Sequence, residues 1–98
     1  MAAADYGLRE TVVKEIVSLA EKNRVEKLVL FGSRAKGDYT RSSDIDLAVY
    51  GGNVDAFALE AEETVETLLF FDVIDMSAPL SPRFRNQIEG GVVLYEKV

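Results

Sequence analysis

The chain contains no cysteine and no histidine. The first absence excludes disulfides and thiolate chemistry, and the second excludes His-ligated zinc and imidazole general catalysis. Any catalysis must therefore run on carboxylates, hydroxyls, lysine, arginine and bound metal. Basic residues are also few, with 11 Lys and Arg against 17 Asp and Glu, for a formal charge of −6. Direct adhesion to nucleic acid needs Lys and Arg to neutralise phosphates, so it is not expected, and a basic or metal-loaded partner fits better. Long apolar runs are missing too. The strongest, Val25 to Phe31, is interrupted by Glu26 and Lys27 and is far too short to cross a bilayer. Met1-Ala2-Ala3-Ala4-Asp5 has neither the basic start nor the apolar middle of a signal peptide, so the sequence reads as cytoplasmic, with no membrane attachment.

The rest is ordinary for a folded protein: 98 residues, 48% hydrophobic and 29% charged. Such a chain forms one domain, residues 1–98, with a modest core and no room for a second, substrate-binding domain. From Leu8 to Asn23, Leu8, Val12, Val13, Ile16, Val17, Leu19 and Ala20 recur at helical spacing. Leu28-Val29-Leu30-Phe31 is an apolar strand buried on both faces, and Gly32 stops it. Ala35 to Asp38 can hold one helical turn, and Tyr39 to Ser43 is a polar loop. Asp44 to Tyr50 alternates Asp44, Asp46 and Ala48 with Ile45, Leu47 and Val49, the period of a half-buried strand. Gly51-Gly52 turns the chain, and Asn53 caps a helix predicted from Val54 to about Leu69. Phe70 to Met76 is a third strand. Ser81-Pro82 opens a short helix that Gly90 ends, and Val92 to Tyr95 is a last strand. This order predicts an α/β (α+β) domain with a mixed sheet and helices mainly on one face.

Two features of this order carry chemistry. Aspartates two apart on a strand project the same way, with Cα atoms roughly 6 to 7 Å apart. Asp44 and Asp46 can therefore each hold one side of a pair of metal ions about 3.5 to 4 Å apart, and oxygen-only donors select Mg²⁺ or Mn²⁺ over zinc. Without metal the two carboxylates repel each other, which makes the site costly for folding. The second feature is Gly32-Ser33, directly after a strand, where the missing Cβ lets backbone N–H groups approach a phosphate and the hydroxyl adds a donor. More plainly, Asp44 and Asp46 are solvated acids at a strand edge, and Gly32-Ser33 is a capped turn; their joint occurrence favours function. Arg34 and Lys36 either meet a triphosphate or balance surface acids. No role is assigned to Arg41. Glu60, Glu62, Glu63 and Glu66 form a solvated helix face, with a partner surface as the minority reading. Tyr50, Phe57, Phe70, Phe71, Phe84 and Tyr95 are read as core rather than base-stacking residues.

Gly32-Ser33, ten residues, then Asp44-Ile45-Asp46 resembles the signature of the DNA polymerase β-like nucleotidyltransferase superfamily. The wider runs Leu30 to Gly37 and Ser42 to Val49, with Phe71-Asp72-Val73-Ile74-Asp75 and Ile88 to Glu96, resemble its minimal nucleotidyltransferase (MNT) branch over nearly the whole chain. The resemblance implies a nucleotidyltransferase fold and three acids around two Mg²⁺ (or Mn²⁺) ions, with Gly32 and Ser33 contacting the triphosphate of ATP or another NTP. Asp44 and Asp46 would hold the metals, and an acid on the third strand would complete the site and help deprotonate an acceptor hydroxyl. Asp72 and Asp75 compete for that place, and the family pattern, with its acid early in the strand, favours Asp72. It further implies transfer of NMP, most plausibly AMP from ATP, to a hydroxyl of a partner protein. The partner would be a helical HEPN-type toxin encoded nearby, this chain being its antitoxin; self-association stays open.

A second hypothesis is a non-catalytic protein that binds nucleotide or toxin and neutralises its partner sterically. Two other Asp-x-Asp enzymes are disfavoured. A haloacid-dehalogenase-type phosphatase needs a nucleophilic aspartate where this chain has Phe31-Gly32, and a sugar-nucleotide glycosyltransferase needs a larger fold.

Overall fold

The computed structural model describes residues 6–97. The elements run α1 (Glu10–Lys22), β1 (Lys27–Phe31), α2 (Ser33–Lys36), β2 (Ile45–Tyr50), α3 (Val54–Thr64), β3 (Phe71–Asp75), α4 (Pro82–Glu89) and β4 (Val92–Glu96). The four strands form one sheet in the order β3-β2-β1-β4. β1 pairs antiparallel with both β2 and β4, whereas β2 and β3 run parallel, so the sheet is mixed. As the most apolar strand, β1 lies inside the sheet, where Leu28, Val29, Leu30 and Phe31 are all buried. A parallel neighbour for β2 requires a crossover, and α3 provides it.

Alternation along the strands divides the interior. Leu28 and Leu30 of β1 and Ile45, Leu47 and Val49 of β2 face α1 and α3, where they meet Val12, Ile16, Ala20, Phe57 and Ala61. Val29, Phe31 and Ala48 face the other way and meet Ile88 of α4 and Met76. Two helices thus fill one face, and one short helix covers part of the opposite face. That second face carries Asp46.

Side chains fix the helix ends. Asn53 accepts the Ala56 N–H at 3.2 Å, and Ser81 accepts the Phe84 N–H at 3.2 Å with Pro82 in the first helical position. The Gly51-Gly52 turn lies at positive φ, and a Cβ on Gly52 would come within 2.6 Å of the Asn23 carbonyl oxygen. One expected element is shorter in the fold: α3 stops at Thr64, not near Leu69. Its 11 residues rise about 16 Å, enough to return the chain beside the start of β2, and five more would overshoot β3. Val65 still packs into the core in an extended conformation, but Leu68 is 99% exposed.

Candidate active site

Strand register assembles the site. Phe31 of β1 pairs with Asp46 of β2, and Asp46 pairs with Asp72 of β3, so the three side chains form a row across one face of the sheet. Asp44 lies just before β2 and two residues from Asp46, hence toward the same side. Phe84 of α4 closes the Phe31 end, its ring edge-on to Phe31 at 6.2 Å between centroids. At the other end Asp72 is exposed, and Asp46 between the two is half-buried.

Gly32 joins the phosphate-sized turn to this row. Its φ of 79° and ψ of −155° lie outside the usual range for residues with a Cβ. A Cβ there would also overlap Asp46 Oδ2. Only glycine therefore lets the turn lie against the carboxylate. Ser33 follows as the first residue of α2, half-buried.

Asp75 stands apart from the row. It is in register with Val49, on the opposite face from Asp72, and its Oδ1 accepts the Ser77 N–H at 2.9 Å and the Ser77 hydroxyl at 2.7 Å. Those bonds hold its carboxyl below the ordinary aspartate range. Asp46 is shifted the other way. Burial raises it first, the charges of Asp72 and Asp44 raise it further, and Arg34 opposes them.

Arg34 corrects the sequence expectation, under which it met a triphosphate or balanced surface acids. Its side chain is 1% exposed and turned inward. Nε and Nη2 donate to the Ser43 carbonyl at 3.1 and 2.9 Å, and Nη1 donates to the carbonyls of Tyr6 and Gly7 at 2.9 and 3.2 Å. Longer bonds reach Thr40 and Arg41, and the guanidinium lies 5.1 Å from the Tyr39 ring centroid. A planar, five-donor group can hold a loop by its carbonyls in this way, and here it holds the loop that delivers Asp44. The Thr40 N–H donates to Ser43 Oγ at 2.8 Å and tightens the same loop. The signal missed in the sequence is a long polar loop with no regular backbone pairing, beside an arginine able to satisfy it. Lys36, by contrast, stays exposed and free to meet an anion.

The donor chemistry fits a hard divalent cation. Three oxygen-only side chains share one region, and like charges already raise Asp46, a repulsion that a cation would relieve. Among the described residues no three acids converge into a ready-made ligand group, so the site is an open carboxylate row.

Comparison with known proteins gives the family and the fold. The family described as "Polymerase beta, Nucleotidyltransferase" matches residues 14–98. A curated protein of Methanocaldococcus jannaschii, named "Putative protein adenylyltransferase MJ0604", is 34% identical over 99 residues, covering 88% of this chain and 97% of that one. Among solved structures, a toxin–antitoxin complex with AMP-PNP contains a chain matching at a TM-score of 0.70 and 23% identity, over 87% of this chain and 73% of that one. A complex of an AMPylated Shewanella oneidensis HEPN toxin with its MNT antitoxin matches at a TM-score of 0.63 and 21% identity, over 88% and 71%. These structural likenesses concern the fold.

Proposed function

From the premise that this chain belongs to the Polymerase beta nucleotidyltransferase family and is a nucleotidyltransferase, we propose that it moves AMP from ATP onto a hydroxyl of a partner protein. The observation that carries this reading is the alignment of Asp46 with Asp72 across β2 and β3, with Gly32 laid against Asp46. Gly32 and Ser33 receive the triphosphate, since the turn offers N–H groups and a hydroxyl where no Cβ blocks approach. Asp44, Asp46 and Asp72 would hold divalent cations, Mg²⁺ or Mn²⁺ by donor type. When bound, these ions supply charge neutralisation at the attacked phosphate and at the departing pyrophosphate.

Asp72, the exposed end of the row, accepts the acceptor's proton on a carboxylate oxygen. The hydroxyl oxygen forms a bond to the α-phosphorus, and the bond from that phosphorus to the oxygen bridging toward the β-phosphate breaks. Pyrophosphate leaves with the electron pair. The products are an AMP ester of the protein and pyrophosphate, with no redox change.

The named relative supports a protein as the acceptor, and the toxin–antitoxin neighbours support a HEPN-type toxin in that place with an antitoxin role for this chain. The test incubates the chain with that partner, Mg²⁺ and ATP labelled at the α-phosphate. Label on the partner, lost in Asp46→Asn and Asp72→Asn, is expected; no label under any condition overturns the reading. The open carboxylate row favours one competing reading, in which the chain neutralises its partner by covering it. Full neutralisation by Asp46→Asn would establish that alternative.

A further inference from the structure

The sheet has two edges, and they differ in how they are protected. β4 has a register irregularity opposite Leu28/Val29 and is followed by Lys97. Bulges and lysines are ordinary ways of stopping another strand from pairing. β3, Phe71-Asp72-Val73-Ile74-Asp75, has no proline or lysine, and its register with β2 is unbroken. The Ile45 N–H donates to the Phe70 carbonyl and the Met76 N–H to the Val49 carbonyl, both at 2.9 Å, so the even-numbered residues of this segment direct their backbone toward β2. By alternation, the backbone groups of Phe71 and Val73 point outward, and among the described residues none of them has a partner. Beside this edge, Leu68 is 99% and Phe70 73% exposed, so Phe70, read from sequence as core, stands in the open.

This edge leads directly to the carboxylate row, because Asp72 lies on it. The charged residues of β3 itself, Asp72 and Asp75, are both acids, the chain from Ser42 to Pro82 carries no lysine or arginine, and Arg85 of α4 is turned to the Met76 and Ala78 carbonyls beyond the strand's end. We propose that the outer edge of β3 is the acceptor's docking rail, on which an extended, lysine- or arginine-bearing polypeptide segment pairs as a fifth strand. The segment's apolar residues rest on Leu68 and Phe70. A hydroxyl side chain opposite Asp72 then falls on the same face, with Cβ atoms about 4.5 to 5.5 Å apart, next to the group that takes its proton. The inference rests on the proposed transfer to a protein hydroxyl and specifies how that hydroxyl is presented.

The test uses the whole chain and a synthetic nine-residue peptide of alternating lysine and valine with a central tyrosine. Two control peptides carry N-methyl groups on alternate residues or glutamate in place of lysine. Binding is followed without nucleotide, by backbone amide shifts and hydrogen exchange. The expected result is protection of the Phe71 and Val73 amides by the lysine peptide. Binding should fall about tenfold or more with N-methylation, the scale of losing one or two backbone hydrogen bonds. The glutamate peptide should bind more weakly still, and Phe70→Ser should weaken binding severalfold. Unchanged Phe71 and Val73 amides, or equal binding of the N-methylated peptide, would overturn the proposal. So would pairing of two copies of this chain through β3, or protection of the same amides by ATP alone. Transfer is then measured separately. AMP transfer that ignores N-methylation leaves the proposed activity standing and removes the rail. Strand pairing that never leads to transfer keeps the rail and removes the activity.

Discussion

Replacing Arg34 by alanine would strip hydrogen bonds from the carbonyls of Tyr6, Gly7 and Ser43 and remove a buried guanidinium. Bonds to a charged donor contribute about 1.5 to 3 kcal/mol each, and the space left by the buried side chain adds to the loss. Arg34→Ala should therefore lower unfolding stability by about 3 kcal/mol or more, read from the urea midpoint. Arg34→Lys keeps the charge but not the fork, and should recover less than half of that. Either change should also reduce nucleotidyl transfer, because the loop that presents Asp44 loses its anchor. Asp46 invites the opposite experiment. Its folded-state pKa is raised, so the charge costs stability at neutral pH, and that cost disappears as the pH falls through the folded value. Asp46→Asn should stabilise the metal-free protein at pH 7, by less than about 1 kcal/mol since water reaches the carboxylate, while abolishing transfer. A destabilised Asp46→Asn in metal-free buffer would contradict the repulsion argued for this row.

Between elements, Glu60 ties α3 to the C-terminal end of α1: it accepts from Lys22 Nζ at 3.0 Å and Asn23 Nδ2 at 2.9 Å. These bonds hold the Glu60 carboxyl below 4.5, the Asn23 bond foremost. The stability gained is thus present above pH 4.5 and lost as the pH falls through the folded value. Glu60→Gln should be less stable than wild type at pH 7 and approach it in acid, as followed by urea titrations across that range. Removal of the α3 cap by Asn53→Ala should cost about 0.5 to 2 kcal/mol at any pH. That cap was legible in the sequence because its signal is local, an asparagine after two glycines and before a helical apolar pattern. β1 and β2 were legible for the same reason. The end of α3 was not, because Val65, Leu68 and Leu69 continue the helical period and only the distance back to β3 stops the helix. The role of Arg34 was hidden too, since the carbonyls it binds come from residues 6, 7, 40, 41 and 43 and meet only in the folded chain. The Asp72–Asp46 juxtaposition depended on β3 running parallel to β2, which residue spacing cannot specify.

For the molecule as a whole, a domain of 98 residues buries a limited core, so ligand binding should register strongly in its stability. The formal charge of −6 and the acidic row oppose ATP binding in the absence of a cation, whereas a divalent ion answers both the carboxylates and the triphosphate. ATP and Mg²⁺ should therefore stabilise more together than the sum of each alone. At ligand concentrations ten times the dissociation constant the gain is about 1.4 kcal/mol, which for a domain of this size moves the midpoint roughly 5 to 10 °C. Thermal unfolding with ATP, Mg²⁺, both or neither checks this without requiring turnover. In Asp44→Asn/Asp46→Asn the joint increment should vanish, because the carboxylates that link the ion to the protein are gone. An equal increment in that variant would mean that the nucleotide and its cation bind elsewhere on the surface, and the row across β1, β2 and β3 would lose its claim to be the active site.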